Sequence, residues 1–172
     1  MALDNDIHSE LRQMVSLDKC LREGGGANSS SLGQETGNGS RSILIAEDNA
    51  INQKVIERMV QKLGYRVQLV SNGREAIEAL LRSSYSLIFM DCQMPEMDGF
   101  EACRQIRKLN AAPASTRIPI IAITANAMKG DRERCLAAGM DDYVSKPFTQ
   151  ENLRTVIERW VSVESRQAIK QG

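Results

Sequence analysis

Three carboxylates that close two apolar segments are the groups in this sequence best suited to chemistry. Glu47 and Asp48 follow the apolar residues 43–46, and Asp91 follows the apolar residues 87–90. Short apolar runs of this kind are typical of buried strands, where a charge is costly, so the acids belong at the exposed carboxyl ends. If the two strands are parallel neighbours, the three carboxylates meet at one edge of the sheet. Their mutual repulsion there would favour a hard cation such as Mg²⁺.

Asp91 is also a candidate nucleophile. A carboxylate can attack phosphorus and form an acyl phosphate. Phosphoryl transfer depends mainly on positioning and on cations that neutralise negative charge. Mg²⁺ held by Asp48 and Asp91 would supply one such charge, and Lys146, which follows the last strand-like segment, would supply another. The Thr124 hydroxyl closes the apolar residues 120–123 and could donate a hydrogen bond to a phosphoryl oxygen.

Strand and helix patterns alternate along the part of the chain that carries these residues. Strand-like segments are predicted at 42–47, 65–70, 87–91, 120–124 and 142–145, and a helical pattern follows each of them. This alternation predicts an α/β fold with a five-stranded parallel sheet covered by helices on both faces. In such folds the functional site lies outside the carboxyl ends of the strands, which is where all the residues named above are placed.

The composition excludes some classes of protein. Among 172 residues there are 22 Lys plus Arg and 22 Asp plus Glu, so the zero net charge gives no support for a nucleic-acid or anionic-membrane partner. The four cysteines have neither zinc nor redox spacing, which favours reduced thiols in a cytoplasmic protein. We expect no signal peptide and no insertion of this chain into a membrane.

Composition also divides the chain into four segments. Residues 1–23 carry a weak amphipathic helical pattern, and residues 24–40 are rich in Gly, Ser and Asn, which predicts a flexible linker. The compact domain is predicted at 41–162. A polar tail at 163–172 is expected to fray.

Two further features have simple interpretations. Cys92 follows Asp91, and strand alternation points it away from the Asp91 side chain, so we expect a small buried apolar group rather than a redox site. A basic run near one helix is predicted to be a solvated face. Its members are Arg104, Arg107, Lys108 and Arg117.

Four motifs, in this order, resemble the receiver domain of two-component response regulators. They are ILIAEDN at 43–49, FMDCQMPEMDG at 89–99, IAITANAM at 121–128 and KPF at 146–148. Together they span nearly the whole compact domain, and the combination of AEDN with ITANAM is most similar to the receivers of hybrid sensor histidine kinases. The resemblance implies a doubly wound, flavodoxin-like fold with strand order 2-1-3-4-5.

The resemblance also implies how the acids act. Asp91 would accept a phosphoryl group from a phosphohistidine of a histidine kinase or a histidine phosphotransfer domain. Asp48 and Asp91 would bind Mg²⁺ with their side chains, and Gln93 would bind it with its backbone carbonyl. Glu47 would act through a metal-bound water. One departure from the family is that Glu47 stands where many members have Asp.

A conformational switch is implied as well. Thr124 would be the switch hydroxyl, Tyr143 the switch aromatic and Lys146 the lysine that pairs with the phosphate, with a cis bond to Pro147. We expect phosphorylation to pull Thr124 toward the phosphate and to remodel the face formed by the helix at 131–138, the last strand and the last helix.

Two alternative functions stay open on the residues alone. An interaction scaffold or cofactor binder could use the same fold without phosphorylation, although a flavin phosphate would be repelled by Glu47 and Asp48. A phosphatase with an aspartyl nucleophile usually needs a second Asp two positions later for acid–base work, and this chain has Gln93 there. The complete acidic set together with Lys146 favours the receiver.

Overall fold

The computed structural model describes residues 41–109, 117–125 and 129–168, with side chains at 41–109, 117–125 and 130–161. The helix predicted at 1–23 and the linker predicted at 24–40 lie outside the described residues, so both stay predictions. Among the described helices, none combines the length and the apolar character that crossing a bilayer requires.

Strands and helices alternate throughout the described residues. In chain order they are β1 (Ser42–Ala46), α1 (Ala50–Lys62), β2 (Arg66–Val70), α2 (Gly73–Arg82), β3 (Leu87–Asp91), α3 (Gly99–Leu109), β4 (Ile120–Thr124), α4 (Lys129–Ala137), β5 (Asp142–Ser145) and α5 (Gln150–Ala168). The strands form one sheet in the order β2-β1-β3-β4-β5, and every neighbouring pair is parallel. The predicted α/β fold and its strand order 2-1-3-4-5 are confirmed.

Apolar side chains cover both faces of the sheet. Every residue of β3 and β4 is buried, because successive side chains point to opposite faces and both faces carry helices. On one face, Phe89 packs with residues of α1 and α5, among them Ile56 and Leu153. On the other face, Ile88 packs with residues of α2, α3 and α4, among them Ile106. The central strands β1 and β3 are therefore held firmly, and their carboxyl ends are fixed in space.

Both ends of α1 carry residues that favour helix termini. The Asn49 side chain accepts hydrogen bonds from the backbone N–H groups of Ile51 (2.9 Å) and Asn52 (3.2 Å), which caps the helix. Gly64 has a φ of 89°, the left-handed conformation that commonly ends a helix. Val55 of the same helix is 43% exposed.

The last helix extends beyond the predicted end of the compact domain. Helix α5 continues to Ala168, so residue 162, where the compact domain is predicted to end, lies inside the helix. The domain bounds and the fraying of the tail stay predictions. Once a helix has formed, each further residue adds a backbone hydrogen bond, so polar residues can extend it. Residues 169–172 lie outside the described residues.

The predicted solvated basic face is wrong for two of its arginines. The Arg107 side chain is mostly buried, and its Nη2 donates to Asp141 Oδ2 at 2.6 Å. Its Nε and Nη1 donate to the backbone carbonyls of Gly139 (2.9 Å) and Ile118 (2.8 Å). Arg117 Nη2 donates to Asp141 Oδ1 at 2.9 Å. These bonds tie α3 to the segments before β4 and before β5, at the end of the sheet away from the acids.

Candidate functional site

The carboxyl ends of β1 and β3 bring the three acids together. In the register of this pair Ala46 lies opposite Met90, so Glu47 and Asp48 leave the sheet beside Asp91. One oxygen from each of the three carboxylates lies within 4.8 Å of the other two. Glu47 and Asp91 are buried, whereas Asp48 is exposed. Three oxygen donors this close together suit a hard divalent cation such as Mg²⁺.

The Lys146 ammonium lies among these acids. Lys146 follows β5, and its backbone N–H donates to the Thr124 carbonyl at 2.8 Å, which fixes it at the same edge of the sheet. Its Nζ donates to Asp91 Oδ2 at 2.7 Å and to Glu47 Oε2 at 2.8 Å. One ammonium therefore serves two buried carboxylates. The bond from Lys146 to Pro147 is cis.

Asn52 is a residue of this site that the sequence reasoning missed. Its Nδ2 donates to Glu47 Oε1 at 3.1 Å, and the backbone N–H of Asn49 donates to the same oxygen at 3.2 Å. Asn52 is one turn beyond Asn49, the residue that caps α1, and so faces the end of β1. A polar residue one turn after the helix cap is the signal that could have identified it.

The other predicted residues occupy different parts of the same region. The backbone N–H of Gln93 donates to Asp91 Oδ1 at 3.0 Å. Thr124 is buried at the end of β4 and lines the cleft together with Asp91, Gln93 and Lys146. Tyr143 is half-buried on β5 and packs against the apolar cluster that includes Cys135 of α4. The structure thus gathers the acids, Gln93, Thr124 and Lys146 into one cleft and places Tyr143 beside α4.

Burial and hydrogen bonding shift the pKa values of Glu47, Asp91 and Lys146 in opposite directions. Burial raises the pKa of the Asp91 carboxyl, against the hydrogen bonds from Gln93 and Lys146, and the Glu47 charge raises it further. Burial also acts to raise the pKa of Glu47, but hydrogen bonds led by those from Lys146 and Asn52 lower it overall. Burial would lower the pKa of Lys146, yet its two carboxylate partners hold that pKa above its ordinary value. Asp91 is therefore the buried acid of this cluster whose negative charge is least well compensated.

A glycine allows α3 to begin directly against Asp91. A β-carbon built on Gly99 would overlap the backbone oxygen of Asp91, so any larger residue would push the helix or the strand end away. The Gly99 N–H donates to the Cys92 carbonyl at 3.3 Å. The preceding residue, Asp98, accepts a hydrogen bond from the Glu101 N–H at 2.8 Å. The turn at Asp98 and Gly99 thus holds the loop that carries Gln93.

Cys92 is buried, as predicted. Its Sγ lies 3.8 Å from Cys135 Sγ of α4, and among the described cysteines all thiols are free. Burial raises the pKa of both thiols. Both groups therefore stay protonated at neutral pH and act as packing groups between β3 and α4.

The family model of the response regulator receiver domain matches residues 43–158, which is most of the chain and all of the strands except the first residue of β1. The chain belongs to this family. The strand order and the acidic cluster agree with that membership. This chain therefore contains a receiver domain of two-component phosphorelay signalling.

Curated relatives are much longer than this chain. The hybrid signal transduction protein dokA of Dictyostelium discoideum is 44% identical over 122 residues, which are 71% of this chain but 7% of dokA. The signal transduction histidine-protein kinase BarA of Escherichia coli is 38% identical over 118 residues, which are 69% of this chain and 12% of BarA. The receiver therefore spans a small part of these relatives.

Solved structures of receivers have the same fold. The receiver domain of sensor histidine kinase PA1611 from Pseudomonas aeruginosa is 48% identical and superposes with a TM-score of 0.64. The match covers 72% of this chain and 99% of that one. The PA1611 receiver has a magnesium ion in its active-site cleft. The receiver of Ssk1 from Saccharomyces cerevisiae, crystallised with the histidine phosphotransfer protein Ypd1, matches with 32% identity and a TM-score of 0.67 over 72% of this chain and 90% of that one.

Proposed function

We propose that this receiver accepts a phosphoryl group from a phosphohistidine onto Asp91 in a Mg²⁺-dependent reaction. In this transfer the bond between phosphorus and the histidine nitrogen breaks and a bond from phosphorus to an Asp91 carboxylate oxygen forms. The observation that carries the proposal is the buried Asp91 carboxylate at an acidic strand edge, 2.7 Å from the Lys146 ammonium. The experiment is incubation with acetyl phosphate and Mg²⁺, in which intact mass should show one added phosphoryl group.

The described residues fit a magnesium site. We propose that Asp48 and Asp91 would hold Mg²⁺ with their side chains and Gln93 with its backbone carbonyl, while Glu47 would contribute through water. The magnesium ion in the PA1611 receiver supports this assignment, as do the three oxygens within 4.8 Å of one another. The bound cation would offset the negative charge of the carboxylates and of the incoming phosphoryl group.

Two residues of the chain would act on the phosphoryl group directly. Lys146 would move its hydrogen bond from Asp91 to a phosphoryl oxygen, since Nζ already lies beside the carboxylate that is modified. Thr124, at the end of the neighbouring strand, would donate its hydroxyl to a second phosphoryl oxygen. Both contacts strengthen as negative charge accumulates on those oxygens.

We further propose that the domain is a phosphoacceptor and not a turnover enzyme, limited to its own phosphorylation and dephosphorylation. Gln93 supports this, because phosphatases with an aspartyl nucleophile usually carry a second Asp at that position. Turnover of a small phosphate ester would contradict it. The free thiols of the described cysteines are usual in a reducing compartment and support a cytoplasmic location.

The switch is proposed to lie in α4 and Tyr143. Across residues 130–137 Cys135 is the one buried side chain, so few apolar contacts hold this helix. We expect beryllofluoride with Mg²⁺ to shift the NMR signals of α4 and Tyr143 as well as those around Asp91, because engagement of Thr124 would displace the helix that follows it. Shifts confined to the Asp91 pocket would contradict this switch.

A partner bearing the phosphohistidine is proposed to dock beside α1. Ile51 is 73% exposed on the first turn of α1, near the cleft residues Asn49 and Asn52, and Val55 lies one turn further on. Exposed apolar side chains beside a reaction site are typical of protein interfaces. The complex of the Ssk1 receiver with Ypd1 supports a phosphotransfer protein as the partner.

We expect Ile51→Glu to slow phosphotransfer from phosphorylated Ypd1 by about tenfold, because a charge replaces an apolar contact at the interface. Phosphorylation by acetyl phosphate should not change, since the small donor needs no docking surface. The matched control is Leu109→Glu, an exposed leucine at the end of α3. Equal slowing with both donors would show that the substitution damages the site itself and would count against the docking proposal.

A further inference from the structure

Both oxygens of the Glu47 carboxylate have fixed partners. Oε1 accepts from Asn52 Nδ2 at 3.1 Å and from the Asn49 N–H at 3.2 Å. Oε2 accepts from Lys146 Nζ at 2.8 Å. With one oxygen bound to the start of α1 and the other to Lys146, this carboxylate is held in a single orientation between the helix and the ammonium.

That orientation matters because Lys146 also serves Asp91. A glutamate has one more rotatable bond than an aspartate, so a free Glu47 carboxylate could turn both of its oxygens toward Nζ. Such a rotation would draw the ammonium away from Asp91 Oδ2, which lies 2.7 Å from Nζ. The hydrogen bond from Asn52 opposes this rotation, since it keeps Oε1 on the side of α1.

The side-chain amide of Gln53, the residue after Asn52, binds the main chain of Glu47 rather than its carboxylate. Gln53 Nε2 donates to the backbone carbonyl of Glu47 at 2.6 Å, and so it holds the main chain at the end of β1. Asn52 holds the side chain of the same residue. The start of α1 therefore holds Glu47 at two places: Gln53 holds its main chain, and Asn52 holds its carboxylate with a side-chain hydrogen bond beside that of the Asn49 N–H.

We propose that Asn52 is a positioning residue for phosphoryl transfer to Asp91, acting through Glu47 to keep Lys146 shared between the two carboxylates. This inference rests on the proposed phosphoacceptor function. It predicts that Asn52 affects both the binding of Mg²⁺ at the acidic cluster and the rate of Asp91 phosphorylation. It also predicts that both effects require the Glu47 side chain.

The first test compares Asn52→Ala with the unaltered chain. We expect phosphorylation by acetyl phosphate to slow about tenfold and Mg²⁺, measured alone by NMR titration, to bind several-fold more weakly, as loss of a hydrogen bond to a charged group predicts. Asn52→Leu keeps the size of the side chain without its amide and should behave alike. The matched control is Gln61→Ala, which removes an amide that donates to Glu57 on the exposed face of the same helix. This control should match the unaltered chain.

The deciding test repeats Asn52→Ala in a Glu47→Ala background. If Asn52 acts through Glu47, adding Asn52→Ala to the Glu47→Ala chain causes no further loss of Mg²⁺ affinity or of phosphorylation rate. Equal effects in both backgrounds, or no effect in either, would overturn the inference. An unaltered chain that takes no phosphate would instead overturn the proposed function and this inference with it. Normal phosphorylation of both the unaltered chain and Asn52→Ala would overturn the inference alone.

Discussion

Asp91→Asn should abolish the gain of a phosphoryl group from acetyl phosphate and Mg²⁺, as measured by intact mass. A carboxamide has no negative oxygen with which to attack phosphorus, so the acyl phosphate cannot form. The remaining acids are poor substitutes. Glu47 has both oxygens committed to hydrogen bonds, and Asp48 is exposed to water without a described hydrogen bond to Lys146.

The matched control for this prediction is Asp98→Asn. Asp98 lines the same cleft, is exposed, and accepts a hydrogen bond from the Glu101 N–H that an asparagine oxygen can also accept. This variant should gain one phosphoryl group like the unaltered chain. A phosphorylated Asp91→Asn chain would show that another residue is the acceptor, and peptide mapping of that chain would identify it.

Lys146→Met should have the second largest effect, on both stability and phosphorylation. Methionine keeps most of the side-chain length but leaves the buried Glu47 and Asp91 carboxylates without their shared ammonium. Removal of one partner from a buried ion pair typically costs about 3 kcal/mol of the free energy of unfolding. Urea unfolding in the absence of metal measures this loss. The rate of phosphorylation should fall about 100-fold, because a fixed charge on the phosphoryl oxygens is lost.

The loss of stability in Lys146→Met should depend on pH and on Mg²⁺. Without the ammonium, the pKa of Asp91, already raised by burial, should rise further above its value in the unfolded chain. An acid whose folded-state pKa is raised binds a proton more readily when folded. The loss in the free energy of unfolding is therefore small at acid pH, where the Asp91 carboxyl is protonated in both the folded and the unfolded chain. This loss grows as pH rises through the unfolded-state pKa toward the folded-state pKa.

Added Mg²⁺ should recover part of this stability, since a cation again faces the carboxylates. The control is Lys54→Met, which removes an exposed lysine of α1 and should change the free energy of unfolding by less than about 0.5 kcal/mol. If Lys146→Met unfolds at the same urea concentration as the unaltered chain at neutral pH, the ammonium does not compensate the buried acids. Its assignment to the phosphoryl group would then lose its physical basis.

The architecture and the acidic cluster could be predicted from the sequence because their signals are local. Apolar runs that end in Asp48 and Asp91 mark buried strands and their exposed ends, and the alternation with helical patterns leaves a parallel sheet as the simplest arrangement. Parallel strands then bring those ends to one edge whatever the detailed packing. The sequence alone therefore predicts that the acids and Lys146 lie at one edge of the sheet.

Contacts between residues that are distant in the sequence leave no local pattern from which they could be predicted. The sequence marked Arg107 and Arg117 as charged and therefore exposed, yet their binding of Asp141 depends on where three separate segments meet. The exposure of Val55 likewise depends on which side of α1 meets the sheet. Helical periodicity limits these outcomes without deciding them.

The tertiary structure alone decided which acids are buried and which of them bind Lys146. The sequence determined that three carboxylates and one lysine would lie at the same edge of a parallel sheet, because the alternation of strands and helices sets strand polarity. The order of the strands was implied by the resemblance to receivers. Folding determined that Glu47 and Asp91 share Lys146, that Asp48 faces water, and that Asn52 restrains Glu47. Hydrogen bonds between side chains require positions accurate to a few tenths of an ångström, and those are set by packing throughout the core.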